Sequence, residues 1–181
     1  MKKNKISKNW INKQRRDIYV RRSKVEGYRS RAVYKLQEID QKFRIFKNGM
    51  SVIDLGAAPG SWSQYALKNV KNGKIVSIDF KDFEKIGNIH QIKGDFTDDR
   101  YKKEIVDYFG VKVDVVLSDL AVNTTGNKNL DSIYTGELCM EAMKFSKEIL
   151  KSDGKFISKI FMGSTFNEIV SEAKKIFKEN K

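Results

Sequence analysis

One cysteine, one histidine and one proline in 181 residues narrow the possible chemistry before any motif is read. A lone Cys139 offers no disulfide framework and no cysteine-based metal site. A lone His90 removes most histidine-centred catalysis and reads as a polar residue on the short apolar segment 89–93. Long apolar runs are also missing. None approaches the roughly 18 residues of a membrane span, and the N-terminus carries Lys and Asn where a secretory signal needs an apolar stretch. The expected location is therefore the cytoplasm, with no membrane partner. Length allows one domain with a proper core and is short for two of ordinary size.

What the chain has in excess is positive charge, and it is unevenly placed. Of the net +13, residues 1–48 carry +12, with 16 Lys/Arg against 4 Asp/Glu. Residues 49–181 are close to balanced, with 20 against 19. The expected organisation is a basic arm and helix over 1–48, packed on a near-neutral domain over 49–181. Clustered cations bind a polyanion by releasing its counterions, without reading its sequence. A solubility tail would show the same charge, but a purely disordered tail tends to lack the Trp10, Ile11, Tyr19, Val20 and Tyr28 found between these charges. An arm that lies on RNA is the better reading.

Residues 1–27 show no clean periodicity. From Tyr28 to Phe43, Ala32, Leu36, Ile39 and Phe43 recur at helical steps. Short apolar runs then follow at Val52–Leu55, Ile75–Ile78, Ile89–Ile92, Val113–Leu117 and Phe156–Phe161. Helix-like stretches separate most of them, at Ser61–Asn69, Asp99–Phe109, Ser132–Leu150 and Thr165–Lys178. Alternating strands and helices imply right-handed crossovers and a parallel sheet covered on both faces. Strands covered twice read as continuous apolar runs, as these do. The expected class is α/β, a Rossmann-like domain with a basic helical extension. Ligands of such sheets bind beyond the carboxyl ends of the strands. Asp54 and Gly56 stand there after the first run, Asp79 after the second and Asp119 after the fourth, while Lys159 falls within the fifth.

The first strand and its turn read Val52-Ile53-Asp54-Leu55-Gly56-Ala57-Ala58-Pro59-Gly60-Ser61-Trp62. Glycine lets a ligand approach the backbone, and the following helix presents free N–H groups. Ala58 occupies the place of the middle glycine in the dinucleotide pattern, which a pyrophosphate would want. A cofactor without phosphate, S-adenosylmethionine, fits better. Asp79, 23 residues beyond Gly56, is placed to accept from ribose hydroxyls. Asp95, in Gly94-Asp95-Phe96, can reach an adenine amino group.

Lys159 interrupts an otherwise apolar run, Phe156-Ile157-Ser158-Lys159-Ile160-Phe161. An ammonium taken out of water costs several kcal/mol unless paired or deprotonated. A lysine at a strand end could simply reach solvent. The functional reading is a lysine whose value is depressed enough to serve as a base near neutral pH. Such a base would help a poor nucleophile, a ribose 2'-hydroxyl, to attack a methyl group. Lys35 lies about 60° from the centre of the apolar stripe of its helix, at the edge of the domain contact. It could be the neighbouring cation. Asp119 could accept from both ammonium groups.

At these residues the chain resembles the FtsJ/RlmE family of ribosomal RNA large-subunit (23S rRNA) uridine 2'-O-methyltransferases. The matching segments are Gly27-Tyr28-Arg29-Ser30-Arg31-Ala32-Val33-Tyr34-Lys35-Leu36, Asp54-Leu55-Gly56-Ala57-Ala58-Pro59-Gly60-Ser61-Trp62-Ser63-Gln64, Gly94-Asp95-Phe96, Leu117-Ser118-Asp119-Leu120-Ala121 and Lys159-Ile160-Phe161-Met162-Gly163. Similarity runs from about Trp10 to Phe177. The resemblance implies S-adenosylmethionine-dependent methylation of a uridine ribose in the assembled or assembling large ribosomal subunit. It implies Lys35, Asp119 and Lys159 as three members of a Lys-Asp-Lys-Glu tetrad, with Lys159 as proton acceptor. It further implies Gly60, Trp62, Asp79, Asp95 and Asp119 as cofactor contacts, no metal, and a monomer held to ribosomal RNA by the basic arm. Ser61 replaces a glycine usual in the ribosomal enzymes and resembles relatives acting on transfer RNA. Val122 replaces a common proline. The family continues with two more strands that carry the tetrad glutamate, and no residue here matches it: either the sequence is a fragment, or a natural truncation would expose the fifth strand and weaken the chemistry. The competing readings are methylation of transfer RNA, a catalytically weakened RNA-binding factor of ribosome assembly, and a nicotinamide dehydrogenase. The last lacks the glycine pattern.

Overall fold

The computed structural model describes residues 17–120 and 126–179. Trp10, Ile11 and the other early arm residues, together with Ala121 and Val122, lie outside them. Five strands form one parallel sheet: β1 (Ser51–Leu55), β2 (Lys74–Asp79), β3 (His90–Lys93), β4 (Val113–Ser118) and β5 (Leu150–Ser158). Their spatial order is β3-β2-β1-β4-β5. The chain runs outward from β1 to β3, then crosses back to pair β4 on the other side of β1. That reversal puts the topological switch point between β1 and β4, where a crevice opens beyond the carboxyl ends.

The strands form because β-branched residues alternate between two buried faces. Val52, with Val115 and Leu117, packs under helices α2 (Val33–Phe43) and α3 (Ser61–Asn69). Ile53 and Leu55, with Val76, Ile78 and Val116, pack under α4 (Asp99–Phe109) and α5 (Lys128–Ile149). A third cluster joins Cys139 and Met143 of α5 to Ile169 of α6 (Phe166–Ile176). Val33, Tyr34 and Leu36 are buried in the same core as β1 and β4, so residues on either side of position 48 share one hydrophobic interior.

Two elements differ from the sequence reading. Helix α1 (Ile18–Val25) has little amphipathic pattern to announce it. It is set by Asp17, whose carboxylate accepts the Tyr19 and Val20 N–H groups as an N-cap. Tyr19 packs at 5.5 Å on Tyr34 and the Arg22 guanidinium lies 4.6 Å from the same ring, which ties α1 to α2. Strand β5 begins at Leu150, directly after α5, and ends at Ser158 rather than running on to Phe161. Only Ile157 is fully covered in it, and its register slips against β4 between Val113 and Val115. Lys159 therefore stands just beyond the strand instead of inside a doubly covered one.

Candidate active site

The turn after β1 is a closed hydrogen-bond system. Gly56 N–H and Ala57 N–H both donate to Ile78 C=O, at 2.9 and 3.1 Å. Ala58 N–H donates to Asp79 Oδ2 at 2.9 Å, and Gly60 N–H donates to Ala57 C=O at 2.6 Å. Pro59 has no N–H to give. Every backbone donor from 56 to 60 is thus used internally, and none is left to cradle a pyrophosphate. Gly56 has φ 75°, and a Cβ there would sit 2.9 Å from the Leu120 side chain, so glycine lets the β1 and β4 loops meet.

Beyond this turn lies a cavity of about 370 Å³ at the switch point. Asp79, Asp95 and Asp119 all line it. Each Asp79 oxygen accepts one backbone N–H, from Lys81 and Ala58, and each keeps a second acceptor position. Asp95 places both bonds from Thr97 on Oδ1, which leaves Oδ2 for an outside donor. An amino group and a ribose diol suit these two carboxylates, and the volume is that of a small-molecule site. The donor set fits a nucleoside cofactor without phosphate.

Three sequence candidates are placed differently. Gly60 and Trp62 are not on the cavity wall. Trp62 is 3% exposed, packed in the α2–α3 core, with its indole N–H donating to Ala32 C=O at 2.9 Å. Asp54 does not open on the cleft mouth at all; it is fully buried. Its Oδ2 accepts from Ser63 Oγ at 2.5 Å, Ser63 Oγ in turn lies 2.7 Å from Ser77 Oγ, and Oδ1 has no hydrogen-bond partner. Burial, with Asp79 nearby and against the Ser63 hydrogen bond, pushes its value up to about 7. Phe80, Lys81, Phe96, Leu120 and Leu138 line the cavity without having been singled out. The first four adjoin an acid in sequence, which was an available signal. Leu138 arrives from α5, and nothing local marks it.

Asp119 is positioned by its own backbone N–H, which donates to Leu55 C=O at 3.2 Å, and Lys159 by its N–H on Ser118 C=O at 2.9 Å. These bonds continue the β1–β4–β5 ladder past its end and bring the two side chains together. The Lys159 ammonium is in contact with Asp119 Oδ1, with the lysine side chain 26% and the aspartate 17% exposed. Burial first, and the charge of Lys35 second, hold Lys159 below the ordinary lysine value. The Asp119 carboxylate opposes this and aims the amine. Among the described residues no group of His, Cys, Asp and Glu could hold a metal ion, and no helix is long and apolar enough to cross a membrane.

A Rossmann-like sheet with a cleft beyond its strand ends, lined by carboxylates that suit a nucleoside cofactor without phosphate, fits the class of S-adenosylmethionine-dependent methyltransferases. Comparison with known proteins agrees. The sequence profile of the FtsJ-like methyltransferase family matches residues 28–181. The chain is 67% identical over 181 residues to the ribosomal RNA large subunit methyltransferase E of Pelagibacter ubique, covering 100% of this chain and 89% of that one. It is 44% identical over 178 residues to the protein of the same name from Rickettsia akari, covering 95% and 78%. Among solved structures, a Plasmodium falciparum protein described as a ribosomal RNA methyltransferase superposes with TM-score 0.77 at 34% identity, covering 84% of this chain and 88% of that one. The chain belongs to the FtsJ-like methyltransferase family.

Proposed function

We propose that the protein transfers a methyl group from S-adenosylmethionine to the 2'-hydroxyl of a uridine in large-subunit ribosomal RNA, on the assembled or assembling subunit. The observation that carries this reading is the Lys159–Asp119 pair at the rim of the cavity lined by Asp79 and Asp95. Asp79 would hold the cofactor ribose and Asp95 its adenine amino group. Gly60 and Trp62 would act behind the wall, by shaping the turn and the start of α3. When bound, the cofactor supplies an electrophilic methyl on a sulfonium. Lys159 takes the proton from the incoming hydroxyl, a step that a depressed lysine favours. Lys35 keeps the Lys159 proton labile by repulsion, and Asp119 fixes the direction of the amine. Alignment of hydroxyl and methyl contributes much of the remaining acceleration.

The relatives' names support ribosomal over transfer RNA as substrate. Ser61, the residue that pointed toward transfer RNA, has a local reason to be serine, since its Oγ lies 2.8 Å from Ser30 Oγ. The basic arm over residues 1–48 would hold the RNA through its phosphates, in a salt-dependent way. The test is transfer of labelled methyl to large subunits lacking the modification, with the product mapped to one ribose. Label on a base, or on isolated transfer RNA only, would overturn the reading.

A further inference from the structure

The segment joining α1 to α2 is held by α3 and reaches two loops beside the cavity, the turn after β1 and the loop between β2 and β3. Gln64 of α3 grips it from both sides: its Oε1 accepts Arg29 N–H at 3.0 Å and its Nε2 donates to Gly27 C=O at 3.1 Å. The Arg29 guanidinium then reaches across two loops. Nη1 donates to Pro59 C=O at 3.1 Å and to Glu84 C=O at 2.7 Å, while Nη2 donates to Lys85 C=O at 3.1 Å. Pro59 belongs to the turn after β1, and Glu84 and Lys85 to the loop between β2 and β3.

These two loops flank the cofactor cavity through Ala58 on one side and Phe80 and Lys81 on the other. At their base they are tied by Asp79, which takes N–H groups from Ala58 and Lys81. At their outer end Arg29 is the tie. The fit there is close. A Cβ on Gly60, whose φ is 106°, would lie 3.1 Å from Arg29 Nη1 and 2.4 Å from Ile86 Cδ1. The side chain is 19% exposed, so little of the guanidinium is left to water. A planar fork of five donors can serve carbonyls on two loops at once, whereas an ammonium on a flexible stem cannot hold that geometry.

We infer that Arg29 is a positioning residue for cofactor binding: its guanidinium clasps the turn 57–60 to the loop 80–86 and so sets the width of the cavity mouth. This rests on the reading that the cavity receives S-adenosylmethionine. Arg29 stands behind the two loops and does not itself line the cavity, so the clasp acts on affinity and leaves the methyl-transfer step alone.

Calorimetric titration of S-adenosylmethionine into wild type, Arg29→Ala and Arg29→Lys, with steady-state transfer to undermethylated large subunits, tests it. Arg29→Ala should raise both Kd and the cofactor KM about tenfold, as loss of charge-assisted hydrogen bonds would. Its kcat at saturating cofactor should stay within about twofold of wild type. Arg29→Lys keeps the charge and loses the fork, so its Kd should rise by about threefold or more; it carries the test if the alanine variant fails to fold. A Kd unchanged in both variants, or a fall in kcat at constant KM, overturns the inference. The titration needs no RNA. Failure of wild type to methylate subunits would therefore count against the substrate reading, and unchanged cofactor affinity in the variants against the clasp.

Discussion

Asp54 and Asp119 are the same residue type at the carboxyl edge of adjacent central strands, yet the fold gives them opposite conditions. Asp54 pairs across the ladder with Leu117, and Asp119 lies one residue beyond the end of β4. That offset of two positions along the strands separates a carboxyl sealed under α3 from one at the cavity wall. Asp54 meets serine hydroxyls, keeps one oxygen unpaired and has its charged form disfavoured. Asp119 meets an ammonium and keeps partial access to water. A carboxylate at a strand end thus takes its role from depth rather than from position in a motif. The sealed one holds a serine at the start of α3; the open one holds an ammonium at the cavity wall.

The sharpest way to break this contrast is at the open end. Lys159→Ala should lower methyl transfer to large subunits by about 10²–10⁴-fold, the range expected for loss of a positioned base, with melting temperature and cofactor affinity near wild type. Near-normal turnover at neutral pH would remove Lys159 from the chemistry. Asp119→Ala should cost less, about 10²-fold, because the amine remains and only its aim is lost; it should also weaken cofactor binding, since Asp119 lines the cavity. Lys35→Ala should cost less again, and in a pH-dependent way. The base must be unprotonated, so kcat/KM rises with pH through the Lys159 value. Removing the Lys35 cation raises that value and moves the ascending limb to higher pH. A profile that stays in place, or moves to lower pH, would contradict the pairing of the two lysines.

At the sealed end the expected effect is on stability. The folded value of Asp54, about 7, lies above the ordinary 3.8. Between these values the folded chain holds a proton that the unfolded chain releases, so this contribution falls as pH rises from about 4 to about 7 and then levels off. Asp54→Asn removes that slope. Relative to wild type, the variant should gain on the order of 2 kcal/mol in denaturant unfolding between about pH 5 and about pH 8. Parallel stability curves for the two proteins would show Asp54 to be ionised throughout.

The four strands β1 to β4 were legible because each is an apolar run bounded by turn residues, and the bounds moved by no more than one position. β5 was not. Its first half, Lys151-Ser152-Asp153-Gly154, is polar and lies in the register slip between Leu150 and Lys155, without a partner in the β4 ladder, and α5 runs into it without a loop. Helix α1 was missed for a related reason. Its support comes from a cap and from the Tyr34 ring, which is 15 residues away from Tyr19 in sequence. Among the candidates, Asp79, Asp95, Asp119 and Lys159 could be chosen because charged residues at the ends of apolar strands demand an explanation, and Lys35 because it borders the apolar stripe of its helix. Asp54 could not be sorted from them, since it too is an acid near the end of an apolar strand and differs only in what covers it.

From the chain of residues alone came the alternation that dictates a parallel sheet, the missing glycine that argues against a pyrophosphate, and the concentration of cations before residue 49. Each follows from local chemistry or simple counting. Only the folded structure decided which carboxylates meet solvent, that Lys159 leaves the strand to meet Asp119, and that Arg29 joins one loop 30 residues along the chain to another 55 residues away. Burial and hydrogen-bond partners are made by elements distant in sequence, and they set dehydration and charge, on which the behaviour of an acid or a base depends.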